Sequence, residues 1–337
     1  MAAHVFHIDR PKEYQKAGPA DLIRLLPVPG TNPLFLPKSL LEILVYAFVR
    51  GEIVHLSGPT GSAKTSLLEA LHLMPQNFAT ICTALGFPPR PLCIYPIEMA
   101  TYEAPGELYQ RRALKNGSTY DEESGLVRSL TEASRRNGDH YHLVWLREIG
   151  RVHSASVQGG LLDLVTKGDI TLPGGQRLDT HTIAWVADSN YQAESEATHT
   201  LVTLDDALKR RFTVNVTLDY LSAEQELQVL QHLVTEGELP RTDDELLTRV
   251  VRLGQVIRRH KQEGNLQSLP PPTIYGYLAF LRMARALSHL SLQQVALATL
   301  LGNASLDDRK HVVGVFNEVF GLQSAAEDDP VKEGSLF

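Results

Sequence analysis

Gly58-Pro59-Thr60-Gly61-Ser62-Ala63-Lys64-Thr65-Ser66 is the stretch on which the reading of this chain turns. It fits the Walker A pattern G-x-x-x-x-G-K-[ST] with one change, because Ala63 stands where the last glycine is usual. A small residue with a Cβ is expected to be tolerated there, on the premise that this position opens the helix in right-handed geometry. A loop of this kind needs a strand to deliver it and a helix to leave with its N-terminus facing a phosphate. Both flanks are present. Ile53-Val54-His55-Leu56 is apolar and β-branched before the loop, and Leu67, Leu68, Ala70, Leu71 and Leu73 recur at helical spacing after it. In such a loop Lys64 reaches the β- and γ-phosphates and the Thr65 hydroxyl binds Mg²⁺.

Outward from the loop, the chain has 337 residues, enough for about two domains, with 43% hydrophobic and 21% charged residues and a formal net charge of −7. That balance argues against a surface built to coat nucleic acid. Cys82 and Cys93 form no C-x-x-C pair, so a disulfide framework or zinc site is not expected and a reducing, cytoplasmic setting is. No stretch reads as a signal peptide or membrane span: the best apolar run, Leu40 to Val49, is broken by Glu42. His140-Tyr141-His142 reads as the polar entry to a strand.

Residues 1–35, rich in proline, glycine and polar side chains from Pro11 to Pro33, read as an irregular arm. Ser39 is expected to cap a helix with Leu40, Leu41, Ile43, Leu44 and Phe48 on its buried face. Leu92 to Ile97 reads as a second core strand, with Pro96 arguing for an edge. Residues 101–130 are too long and too polar for a simple connection, the mark of a functional loop, and a helix is expected from Thr131. His142 to Leu146 reads as a buried strand running into Arg147-Glu148, and Ser156 to Val165 as a helix. Residues 170–178 read as a hairpin turning at Gly174-Gly175, and Thr182 to Ala187 as a buried strand ending at Asp188-Ser189-Asn190. A helix over Leu204 to Arg211 then leads into the strand Phe212 to Val216. From residue 221 to 321 only helical patterns follow, and residues 322–337 are polar and acidic, the composition of a disordered tail.

Taken in order, these pieces resemble a AAA+ ATPase of the branch with an insert in helix 2 and a hairpin before sensor 1. Gly-Pro-Thr-Gly-Ser-Ala-Lys-Thr, Leu-Arg-Glu-Ile-Gly-Arg and Leu-Asp-Asp-Ala-Leu-Lys-Arg-Arg-Phe are most similar to the MoxR, CbbQ/NorQ and GvpN proteins, over about residues 36 to 290. The resemblance implies a three-layer α/β P-loop core with a parallel sheet over residues 36–220 and an all-α lid over 221–321. It implies ATP and Mg²⁺ as ligands, with residues Gly58 to Ser66 holding the nucleotide. Glu148 becomes the catalytic glutamate close to the metal, Asn190 sensor 1, and Arg211 or its neighbour Arg210 the arginine finger serving the adjacent subunit. Partners would be copies of the chain in a ring, of six by analogy, and a protein client that in this family often carries a von Willebrand A domain.

Two departures bear on activity. Arg147 stands where the family holds the Walker B aspartate, and Leu269-Pro270-Pro271-Pro272-Thr273 has no sensor 2 arginine, Arg282 and Arg285 lying further along. Both point to slow hydrolysis. A nucleotide-dependent assembly switch with weak or absent hydrolysis therefore stays open beside the client remodeller, as does a nucleic-acid translocase, which the acidic balance disfavours.

Overall fold

A computed structural model describes residues 21–322 apart from 116, 136–137, 153, 167, 173–174, 191–203 and 267. The chain divides into two compact units between Tyr220 and Leu221.

The first unit opens with an antiparallel pair, β1 (Leu22–Leu25) and β2 (Leu34–Pro37), inside the stretch expected to be an irregular arm. The proline and glycine punctuation marks the turn between them, while Leu25, Leu34 and Leu36 bury themselves in the main core. Helix α1 (Lys38–Val49) follows directly, with Pro37 at its N-cap. Ser39 is thus already helical rather than the cap, because the fixed φ of proline carries the chain from strand to helix at Pro37.

The central sheet is parallel and ordered β11-β3-β10-β7-β4, its members being β3 (Ile53–Ser57), β4 (Leu92–Glu98), β7 (Tyr141–Arg147), β10 (Ile183–Ser189) and β11 (Val214–Thr217). Pro96 lies on the edge strand β4, where a missing amide breaks no ladder on the open side. Strand alternation sorts the core into two faces. Leu143 and Trp145 of β7, with Ala184 and Val186 of β10, pack towards α1, α2 (Lys64–Leu73) and α3 (Pro75–Ala84). Val144 and Leu146, with Ile183, Trp185 and Ala187, pack towards α4 (Gly125–Arg135) and α5 (Ala155–Leu164). Helices on both faces of a parallel sheet make a three-layer α/β unit.

Residues 101–130 are more ordered than a loop. They carry the antiparallel hairpin of β5 (Gln110–Lys115) and β6 (Ser118–Glu123), and α4 begins at Gly125, six residues before the expected start. The cap is Ser124, whose hydroxyl accepts from the Val127 amide at 3.0 Å and donates to the Leu108 carbonyl at 2.5 Å. Strands β8 (Asp169–Thr171) and β9 (Arg177–Asp179) form the second expected hairpin, with Gly175 at φ +80° in its turn; Gly174 lies outside the described residues. Helix α6 is one turn, Asp206–Lys209, capped by Asp205.

The second unit is helical throughout its described residues: α7 (Ala223–Thr235), α8 (Asp244–Gln262), α9 (Ile274–Ala286), α10 (Leu292–Thr299) and α11 (Leu306–Phe320). Ser222, Asp243, Ser291 and Ser305 cap four of the five with side-chain oxygens. Inside it Arg258 pairs with Glu226 at 2.6 Å and donates to the Pro272 carbonyl, both side chains being buried.

Candidate functional site

The loop between β3 and α2 lies at the carboxyl edge of the parallel sheet, where ligands bind in open α/β folds. Its entry is tight. A Cβ on Gly58 would come within 2.1 Å of the Leu218 carbonyl oxygen, so only glycine lets the chain pass. The Ser62 amide donates to the Pro59 carbonyl at 3.2 Å, Gly61 sits at φ +80°, and the Tyr220 hydroxyl holds the Thr60 carbonyl at 2.7 Å.

Ala63 overturns the premise on which its Cβ was expected to be tolerated. It caps α2 at φ 71°, ψ 21°, in left-handed rather than right-handed geometry. Glycine is the usual residue here because an L side chain at such angles costs about 1–2 kcal/mol.

Lys64 is buried at 7% exposure, and its ammonium folds back over the loop. Nζ donates to the carbonyls of Gly58 at 2.8 Å and Pro59 at 2.9 Å, and to Asn190 Oδ1 at 2.9 Å. Asn190 stands one residue beyond β10, so the fold brings together a loop lysine and a strand-end amide 126 positions apart in sequence. Burial lowers the Lys64 pKa, opposed by the charges of Asp188 and Glu148. Thr65 and Ser66 are half-buried in the first turn of α2.

Glu148 leaves β7 at φ 50°, ψ 53°, a left-handed backbone of the kind that clusters at functional sites. Its carboxylate pairs with Arg151 at 3.2 Å and is partly exposed. Arg147 does not point to the loop: its guanidinium pairs with Glu98 on the edge strand and lies over the Trp145 ring, 4.8 Å from the centroid. Arg210 and Arg211, just past α6, are exposed.

Asp188 belongs to this cluster and had no role in the sequence reading. It is 6% exposed, and its Oδ1 accepts from Trp145 Nε1 at 2.7 Å and from the Glu148 amide at 3.2 Å. Burial raises its pKa, with the Trp145 and Glu148 hydrogen bonds and the Lys64 charge opposing. The signal was present as alternation: Ala184 and Val186 face the α2 side, so Asp188 does too.

An ammonium, a helix N-terminus, a first-turn hydroxyl and two carboxylates brought to one sheet edge from α2, β7 and β10 suit a polyanion carried with a hard divalent cation. A second group that could hold a metal, Asp169, Asp179 and His181 at the β8–β9 hairpin, is exposed at all three residues. There His181 Nδ1 contacts Asp179 at 2.8 Å.

The fold and loop define a three-layer α/β unit with a strand–loop–helix of phosphate-binding type, followed by an all-helical unit. No family model and no curated protein matches the chain. Among solved structures, a protein from Cytophaga hutchinsonii ATCC 33406 whose ATPase designation is itself provisional is similar over 84% of this chain and 88% of its own, at 15% identity and a TM-score of 0.37. No described helix is long and apolar enough to cross a membrane.

Proposed function

We propose that this protein binds ATP with Mg²⁺ and hydrolyses it, as a MoxR-like AAA+ ring, of six by analogy, that remodels or activates a protein partner, a von Willebrand A domain protein being the candidate by the same analogy. The observation that carries the reading is the buried Lys64 ammonium held at once by the loop carbonyls and by Asn190. A buried cation at a helix N-terminus, tethered to the end of the neighbouring strand, suits a phosphate group whose charge changes during reaction. In this reading residues Gly58 to Ser66 cradle the phosphates, Lys64 holds the terminal ones and Thr65 offers its hydroxyl to the cation. Bound Mg²⁺ would supply charge neutralisation of the phosphates. Glu148 orients and deprotonates water, Asn190 senses the terminal phosphate, and Arg211 or Arg210 serves the neighbouring subunit.

The expectation of slow turnover rested on Arg147 and on the missing sensor 2 arginine. With the guanidinium on Glu98, no cation from position 147 opposes the site, while the aspartate missing at that position and the missing sensor 2 arginine still motivate the assembly-switch reading. Calorimetric titration with ATP tests the proposal. Lys64→Ala should weaken binding by about tenfold or more, the value of a lost charge-assisted hydrogen bond, and Glu148→Gln should bind but not turn over. Equal affinity in wild type and Lys64→Ala would sink it, and stimulation of turnover by DNA rather than protein would favour the translocase.

A further inference from the structure

We infer that Asp188, delivered by β10, supplies the nucleotide–metal site with the carboxylate that β7 lacks at position 147. The inference rests on the nucleotide-binding reading above and names a residue that reading does not use. Across the α2-facing side of the sheet, the residues at the carboxyl ends form one row. Leu56 of β3 pairs with Asp188 of β10, the β10–β7 ladder ends one step earlier at Ala187 and Leu146, and Arg147 of β7 pairs with Glu98 of β4. Asp188 is therefore next to position 147 in the row, and one strand nearer the loop.

The side chains at these two positions have divided the work. Arg147 turns towards the edge strand, neutralised by Glu98 and stacked on Trp145. Asp188 turns inward and is almost wholly buried. A buried carboxylate is costly unless it is held and balanced. Trp145 Nε1 and the Glu148 amide hold it, both through Oδ1, which leaves Oδ2 clear of those donors. The nearby ammonium of Lys64 gives its hydrogen bonds to Gly58, Pro59, Ser62 and Asn190, so Asp188 is not consumed as its hydrogen-bonding partner. A fixed carboxylate with a spare oxygen beside a phosphate loop is the donor that orders the water shell of a small hard cation. Because the same carboxylate receives the Glu148 amide, it also fixes the backbone from which Glu148 projects.

A purely structural acid would make the same two hydrogen bonds, and the test separates the cases. Asp188→Asn keeps an Oδ1 acceptor for both donors and removes only the charge. With the full chain and a fluorescent ATP analogue, Asp188→Asn should raise the Mg²⁺ concentration needed for half-maximal binding by about tenfold or more, the usual cost of losing an ordering ligand. Binding in EDTA should be unchanged or tighter. Arg147→Met should leave the Mg²⁺ requirement within about twofold, as for a side chain outside the site. Arg147→Asp added to Asp188→Asn should recover part of the loss by returning a carboxylate to the row.

A second measurement leaves Asp188 untouched. In wild-type protein the Trp145 indole resonance should broaden on adding Mn²⁺ with ATP, at a lower Mn²⁺ fraction than that of Trp185, which lies on the other sheet face. An unchanged Mg²⁺ requirement in Asp188→Asn, an equal shift in Arg147→Met, or a Trp145 signal indifferent to Mn²⁺ would each overturn the inference while leaving nucleotide binding standing. Wild type that binds no nucleotide would overturn both readings.

Discussion

At the scale of single residues the loop is a balance of strain and burial. Ala63 holds a left-handed backbone that glycine would adopt freely, but glycine also gives the unfolded chain more freedom to lose. The two terms oppose, and relief of about 1–2 kcal/mol in the fold against an entropic loss of about 0.4–1 kcal/mol leaves a net gain. Ala63→Gly should therefore raise the thermal midpoint slightly, whereas Ala63→Val should lower it, since a β-branched side chain suits that geometry least. A lower midpoint for Ala63→Gly would show that the methyl group earns more in packing than it costs. Lys64 adds a pH dependence. Its lowered pKa means that the unfolded chain holds the proton more tightly, so this group's contribution to stability is present above the unfolded value and is lost as pH falls through the folded one. Nucleotide affinity should run the other way, falling as alkaline pH neutralises the ammonium. Lys64→Arg, which stays charged, should flatten that fall in a titration of affinity against pH.

At the scale of elements, the buried strands were the most legible part of the chain. Val144, Trp145 and Leu146, or Ile183 to Ala187, form short apolar runs that only a doubly covered sheet accommodates, and their order fixed where Glu148 and Asn190 would stand. What escaped was chemistry that depends on neighbours. Gly125 reads as a breaker but begins α4, because Ser124 caps it while tied to Leu108 sixteen residues earlier. The direction of Arg147 depended on Glu98, 49 residues away, and could not be read from its own segment. The β5–β6 hairpin exposes Leu114 at 73% and also Tyr120, apolar groups that no burial in the described unit explains. If the protein acts on a client as proposed, this hairpin and the β8–β9 hairpin are the surface expected to meet it. Replacing Leu114 and Tyr120 by serine should leave ATP affinity and the thermal midpoint unchanged and abolish stimulation of turnover by a client; undiminished stimulation would remove the hairpin from that role. In the helical unit, Glu226→Ala would strand the buried Arg258 charge, and we expect a loss of about 3–5 kcal/mol in denaturant unfolding.

At the scale of the whole molecule, the cations around the site of a single chain are, among the described residues, already engaged. Lys64 is engaged by the loop and Asn190, Arg147 by Glu98, and Arg151 by Glu148. Arg210 and Arg211 are exposed after α6, where they can serve another copy. A late positive charge contributes to turnover rather than to ground-state affinity. Arg211→Ala should therefore bind ATP as wild type does and lose turnover by about a thousandfold, the lower range for such a group. Arg210→Ala, carried through the same assays, identifies which of the two reaches the partner. Mixing supplies the geometric test. In a ring of exchanging subunits, an Arg211→Ala chain keeps an intact Glu148, and a Glu148→Gln chain keeps an intact Arg211. Some junctions then join a working glutamate to a working arginine, and activity should reappear although neither variant turns over alone. If no mixture regains activity while subunit exchange is verified independently, Arg211 acts within its own chain and the action in trans is lost.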